Sequence, residues 1–241
     1  MATITLNRPP LNVLNIEMME ELIVALKWAG DQPEPLAAIT GEGKAFSAGV
    51  DIADHTPDKV NKMIDVFDRL FMTMSEIDKP LVALVNGAAL GGGYEIVIFC
   101  DLIVASEKAK LGQPEIKVGV FPPIACYVLP RLLSWPLAME MILSGDIIDA
   151  VRAERIGLVN KVLPAESFND GAKEFLQRFS ALSPVVLSLT KKAVKAGIGK
   201  NFADGLKAID RIYLDELMNT EDAVEGLQAF MDKRKAVWRG K

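Results

Sequence analysis

Histidine and cysteine are nearly missing from this chain, which has one His and two Cys in 241 residues. Two cysteines build no disulfide framework, and one His with two Cys falls short of the usual zinc ligand sets. Long basic runs are missing as well. The 27 Lys+Arg against 32 Asp+Glu leave a formal charge of −5, which argues against non-specific binding to a phosphate backbone. The one basic cluster, Lys233-Arg234-Lys235, is long enough to contact a single phosphorylated ligand. No transmembrane helix is readable, because Asn86, several glycines and Glu95 interrupt the longest apolar region, 81–100. The strand-like residues 2–6 begin at once, so no signal or transit segment is expected. What is present is apolar, at 50% of residues. A chain this long buries roughly three quarters of its unfolded surface, which suits one sizeable core with a small satellite. Composition therefore predicts an acidic, soluble, cytoplasmic enzyme acting on a small molecule, with no nucleic acid, membrane or metal partner.

Residues 2–6 alternate like a strand and stop at Asn7-Arg8-Pro9-Pro10, where proline removes donors and fixes φ. A helix follows, with Asn15 as N-cap and Met18, Met19, Leu22, Ile23 and Leu26 at helical spacing. A short strand at 36–40 runs into a glycine-rich loop, 41–51. Helical spacing returns over about 57–77, with Val60, Ile64, Phe67, Leu70, Phe71 and Met74 on one face. Pro80 opens a strand, a glycine triplet ends it, and a helix follows at about 92–99. Strand signals recur at 101–106 and 158–163. Strand–loop–helix units wound in succession predict an α/β core over 1–180. Helical periodicity then dominates, so 181–241 reads as a helical domain that packs on the core, on a partner, or on both.

Three stretches carry candidate chemistry. In Asn86-Gly87-Ala88-Ala89-Leu90-Gly91-Gly92-Gly93-Tyr94-Glu95 a helix opens on bare glycine backbone, and free N–H groups there suit an anion or a developing oxyanion. Glu95 lies three residues past Gly92, on nearly the same face. The pattern is neither a Walker loop nor a dinucleotide fingerprint. In the loop 41–54, Ser47, Ala48 and Gly49 are small, and the Val50 N–H is a second candidate donor for an oxyanion hole. In Gly112-Gln113-Pro114-Glu115, the apolar residues after Glu115 are of a kind that raises a carboxyl pKa. If paired, Glu95 and Glu115 form an acid–base couple around a water. Close helix packing and an unremarkable glutamate are the bland readings of these features. His55 is expected at the surface, Cys100 and Cys126 in packing, and Asp51 as a cap or brace of its loop. Ser47 lacks triad partners.

Taken together, Lys44 to Ile52, Asn86-Gly87 with Leu90 to Glu95, and Gly112 to Glu115 resemble the enoyl-CoA hydratase/isomerase (crotonase) family. The likeness extends to Asn7-Arg8-Pro9, Ser144-Gly145-Asp146, Gly157 to Asn160, and Phe230 with Lys233-Arg234-Lys235. The resemblance implies a spiral of ββα turns and a C-terminal helical domain that builds a homotrimer or a homohexamer. It implies an acyl-CoA thioester substrate whose carbonyl accepts hydrogen bonds from Val50 and Gly92, with CoA arriving as part of the substrate and no further cofactor. Glu95 and Glu115 match the two hydratase glutamates: the first activates water, and the second protonates the α-carbon. Ala48, Ile52 and Gly91 match positions lining the acyl-CoA channel, and Phe230 and Lys233 match tail positions that reach CoA, often from a neighbouring subunit.

There are departures from the family pattern. Pro122-Pro123-Ile124 stands where hydratases usually have Pro-Gly-Ala, and Pro123 has no N–H to offer the catalytic water. This variation resembles the branch acting on cyclic dienoyl-CoA such as cyclohexa-1,5-diene-1-carbonyl-CoA, for which Phe121, Ile124 and Tyr127 are candidate ring contacts. Pro9-Pro10 replaces a basic residue, and Arg8 or Lys233 is expected to meet the CoA phosphates instead. Rival readings are a Δ3,Δ2-enoyl-CoA isomerase or an acyl-CoA hydrolase on the same fold, and a non-catalytic RNA-binding or scaffolding relative.

Overall fold

The computed structural model describes residues 1–241. Strand β1 (Ala2–Leu6) leads to helix α1 (Ile16–Asp31), whose cap Asn15 accepts from Met18 N at 3.0 Å, a device worth about 1 kcal/mol. There follow β2 (Ala37–Gly41), β3 (Ala45–Ser47) and α2 (Val60–Glu76), then β4 (Leu81–Val85), β5 (Ala88–Leu90) and α3 (Gly92–Phe99). The third unit is β6 (Leu102–Ser106), β7 (Lys110–Gly112), α4 (Pro123–Leu132) and α5 (Trp135–Ser144). After β8 (Ile147–Asp149), α6 (Ala150–Arg155) and β9 (Lys161–Leu163) the chain is helical: α7 (Phe168–Ser180), α8 (Pro184–Gly197), α9 (Phe202–Arg211) and α10 (Glu221–Met231). The helix expected from about residue 57 starts at Val60, because Ile52–Asp54 forms a separate 3₁₀ turn. No helix is long and apolar enough to cross a membrane.

From β2 to β7 successive strands alternate between two sheets. One has the order β1-β2-β4-β6-β9 and is parallel throughout; the other has the order β3-β5-β7-β8, with only β7–β8 antiparallel. Each pass through both sheets returns by way of helix, which makes the ββα spiral. Register explains the apolar strands. Ile4, Ile39, Ala83 and Ile103 align across the larger sheet and point into the main core, together with α1 and α2. Ala38 and Val82 point the other way, under Leu176, Phe175 and Phe179 of α7. The inner strands β4 and β6 are covered on both faces and carry near-continuous apolar runs, whereas the edge strand β1 alternates, with Thr3 and Thr5 exposed. Phe67, Phe71 and Phe99 stack edge-on at 4.9 and 5.1 Å and tie α2 to the end of α3.

Helix α8 has no fully buried residue. It is held by Lys191, whose Nζ reaches Asp101 Oδ2 at 2.6 Å and the Lys79 carbonyl at 3.2 Å. Behind it, Asp222 gathers the chain end: Ser183 Oγ, Arg239 N and Gly240 N all donate to its carboxylate, at 2.6, 2.7 and 3.0 Å.

Candidate active site

Parallel pairing brings three strand ends together. Ala45 and Ser47 of β3 pair with Ala88 and Ala89 of β5, and Leu90 of β5 pairs with Gly112 of β7. The residues just past these ends therefore become neighbours, as is usual for sites at the carboxyl edge of parallel strands. They are Val50, Gly92 and Glu115. Gly49 takes φ +106° and Gly91 φ +53°, conformations that side chains disfavour. A Cβ on Gly49 would lie 3.1 Å from the Leu90 carbonyl oxygen, and one on Gly91 only 2.7 Å from Glu115 Oε1. Positive φ and these close approaches together favour glycine at both positions.

Neither Val50 N nor Gly92 N donates to any group of the chain. Gly92 opens α3, so its N–H also sits at the positive end of the helix dipole. Two unpartnered amides from separate segments that line one cavity are the kind of donors an oxyanion hole uses.

Glu95 is one turn along α3 and 2% exposed. Its Oε1 accepts from Ile124 N and Ala125 N, both at 2.8 Å, in the first turn of α4. Pro122 and Pro123 precede those donors and cost nothing there, since the first amides of a helix have no intrahelical partner. Burial pushes the Glu95 carboxyl up to about 8; the Ala125 and Ile124 amides oppose the rise, and the charge of Glu115 adds to it. Glu115 is also raised, by burial foremost, against its own backbone amide and the nearby His55. Gln113 is fully buried against Glu115; with its amide assigned so that nitrogen faces the carboxylate, it donates to Glu115 Oε2 at 2.9 Å and to Oε1 at 3.0 Å.

These groups line a cavity of about 470 Å³. Ala48, Val50, Ile52, Gly91, Gly92, Glu95, Glu115 and Pro123 all line it, so eight of the ten expected site residues share one wall. Phe230 and Lys233 do not. They lie on and just past α10, exposed and away from the cavity of their own chain.

His55 is exposed, as expected, and also lines the cavity, with the Asp51 carbonyl 3.0 Å from its Nδ1. Other expectations need correction. Val60, Ile64 and Phe67, read as part of one apolar face, also line the cavity; Phe67 belongs to the main core as well, with Leu70 and Met74. Cys126 is exposed, because α4 turns Ala125, Val128 and Leu129 inward. Phe121 lines the cavity, but Ile124 packs on the core and Tyr127 lies under the Arg131 guanidinium at 3.6 Å. Arg8 is engaged with Asp51 and the Val13 carbonyl, which leaves it poorly placed for a phosphate. Val118, Val120 and Phe121, the apolar residues expected around Glu115, line the cavity with it, whereas sequence reasoning did not assign His55 or Met63 to the site; neither stands in a motif, and only the fold turns them there.

Comparison with known proteins places the whole chain in one family. The family model described as enoyl-CoA hydratase/isomerase matches residues 1–241. The chain is 37% identical over 245 residues to the Dictyostelium discoideum protein named "Probable enoyl-CoA hydratase, mitochondrial", covering 99% of this chain and 87% of that one. It is 35% identical over 241 residues to the short-chain-enoyl-CoA hydratase of Clostridium acetobutylicum, covering 97% and 92%. The crystal structure of enoyl-CoA hydratase from Bacillus anthracis superposes with a TM-score of 0.93 at 31% identity, over 99% of this chain and 95% of that one.

Proposed function

Because the chain belongs to the enoyl-CoA hydratase/isomerase family, we propose that its cavity adds water across the conjugated C=C of an acyl-CoA thioester. One observation carries the reading: two free amides, Val50 and Gly92, open onto the same cavity as two carboxyls with raised pKa, Glu95 and Glu115. The thioester oxygen accepts from both amides, and their hold strengthens as the enolate forms. Each such donor is worth roughly 3–4 kcal/mol of barrier. Glu95 takes a proton from water as hydroxide adds to the β-carbon, and Glu115 gives its proton to the α-carbon. Turnover thus ends with Glu95 protonated and Glu115 ionised. Each cycle therefore includes loss of the proton from Glu95 and return of one to Glu115.

The same family includes isomerases, for which a single acid suffices; the buried and amide-bonded Glu95 favours hydration here. CoA enters as part of the substrate and the reaction needs no resident cofactor. Phe230 and Lys233 serve a neighbouring subunit's site in a homotrimer or hexamer. The acyl group is a cyclic conjugated diene: Val118, Val120 and Phe121 offer flat apolar surface, and the rigid Pro122-Pro123 pair offers no amide of its own. A panel of linear crotonyl-CoA, cyclic dienoyl-CoA and β,γ-unsaturated esters, followed by loss of conjugated thioester absorbance, tests this. Hydration of the cyclic diene, faster than crotonyl-CoA, is expected. Turnover of the β,γ-unsaturated esters alone would make the protein an isomerase.

A further inference from the structure

The Val50 amide has no partner, but the residues on either side of it are tightly held. Leu14 N donates to the Gly49 carbonyl at 2.8 Å, and Asp51 N donates to the Leu14 carbonyl at 2.9 Å. Leu14 thus grips the chain just before and just after the donor. Ala48 N donates to the Leu11 carbonyl at 3.0 Å, which extends the grip by a further turn of chain.

Segment 11–14 is itself fixed from two directions. Asn12, 1% exposed, donates through Nδ2 to the Glu42 and Ala45 carbonyls at 3.0 and 2.9 Å, and its Oδ1 accepts from Arg8 N at 2.9 Å. Arg8 then reaches across. Its Nη1 donates to the Val13 carbonyl at 2.9 Å and its Nη2 to Asp51 Oδ2 at 3.2 Å. One guanidinium therefore joins the residue before Leu14 to the residue after Val50.

We propose that Arg8 and Asp51 are positioning residues for the oxyanion donor: their ion pair locks segment 11–14 onto segment 48–51 and so sets the direction of the Val50 N–H. The inference rests on the oxyanion-hole reading above and extends it to residues that touch no substrate. Two facts separate this role from simple stabilisation and from phosphate binding. The side chains of Arg8 and Asp51 are 42% and 28% exposed, and ion pairs so placed contribute little to stability. Arg8 also faces a groove between β1 and α1, with Asn15 and Glu17, and not the catalytic cavity. Its influence on chemistry must pass through Asp51. A small misdirection of one backbone donor is enough to slow a reaction that depends on preorganised hydrogen bonds.

The test uses the full-length protein, Arg8→Ala, Arg8→Lys and the isosteric Asp51→Asn, with p-dimethylaminocinnamoyl-CoA as a chromophoric thioester. Its absorbance moves to longer wavelength when the carbonyl is polarised. Arg8→Ala and Asp51→Asn are expected to melt within a few degrees of the parent and keep KM within about twofold. Each should lose roughly 10- to 100-fold in kcat and much of the red shift. Arg8→Lys should recover part of both, because an ammonium lacks the planar fork that serves two acceptors at once. The double variant should be no slower than the worse single one, as for residues acting as a unit. Full red shift and full kcat in Arg8→Ala and Asp51→Asn would overturn the proposal. So would a raised KM at unchanged kcat, which would return Arg8 to phosphate binding. If the parent protein binds the probe with no red shift, the oxyanion-hole reading itself fails, a result distinct from failure of the variants alone.

Discussion

Glu95 shows how one residue is set for its task by opposing influences. Burial disfavours its charge, while two helix-terminal amides on Oε1 favour it; burial wins and the carboxyl rises to about 8. This links stability to pH. In the unfolded chain the group ionises near its ordinary value of 4.5, so between 4.5 and 8 the folded state binds the extra proton. The stability tied to that proton is complete below 4.5 and is lost as pH rises through 8. Glu95→Gln keeps an acceptor for Ile124 and Ala125 but removes the titration. The melting temperature of the variant minus that of the parent should therefore grow, by several degrees, from pH 5 to pH 9. The same variant should turn over at least about 100-fold more slowly while binding acyl-CoA nearly as well. A melting difference that stays flat with pH would show that Glu95 titrates normally in the folded protein. The two glutamates were legible as candidates because each is a lone carboxyl in an apolar neighbourhood. Their meeting was not legible, since it depends on β5 pairing with β7 and on α4 presenting two amides from 29 and 30 residues along the chain.

At the scale of elements, the long strands and helices of the core were readable from periodicity, and the second sheet was not. Strands β1, β2 and β4 span five residues each and carry plain apolar patterns. Strands β3, β5, β7 and β8 span three residues each, too few for alternation to register. Ala88–Leu90 between glycines reads as part of a turn. Yet this smaller sheet is what aims Val50, Gly92 and Glu115 at one point. Gly91 tests that claim against Gly43. Both have positive φ, +53° and +75°, so alanine at either carries a backbone strain of about 1–3 kcal/mol. Only Gly91 would push a Cβ to 2.7 Å from Glu115 Oε1; Gly43 meets nothing within 4 Å. Gly91→Ala and Gly43→Ala should both lower the melting temperature, but only Gly91→Ala should lower kcat, by about 100-fold or more. Equal kinetic losses would mean that strain, and not the approach to Glu115, explains the glycine.

On the scale of the whole molecule, the helical tail leaves much of its apolar surface uncovered in the single chain. Phe202 is 83% exposed and Phe230 84%, and Val194, Ile198 and Leu214 are exposed as well. Surface of this kind marks a contact site, and Phe230 and Lys233 stand apart from their own cavity. The short basic cluster supports an assignment to a neighbour's substrate: Arg234 is held by Glu225 at 2.6 and 2.9 Å, whereas the Lys233 ammonium makes no ion pair within the chain. If copies assemble through the tail, sedimentation should give a mass of three or six chains. Lys233→Ala should then raise KM for acyl-CoA about tenfold, near 1.4 kcal/mol, with kcat unchanged. The effect should shrink at high salt and vanish for the matching acyl-pantetheine, which lacks the nucleotide phosphates. A monomer with full activity, or a Lys233→Ala effect of equal size on acyl-pantetheine, would remove the lysine from CoA recognition. In that assembly a protein of net charge −5 meets a polyanionic substrate through helix N-termini inside the cavity and one lysine brought from the next subunit.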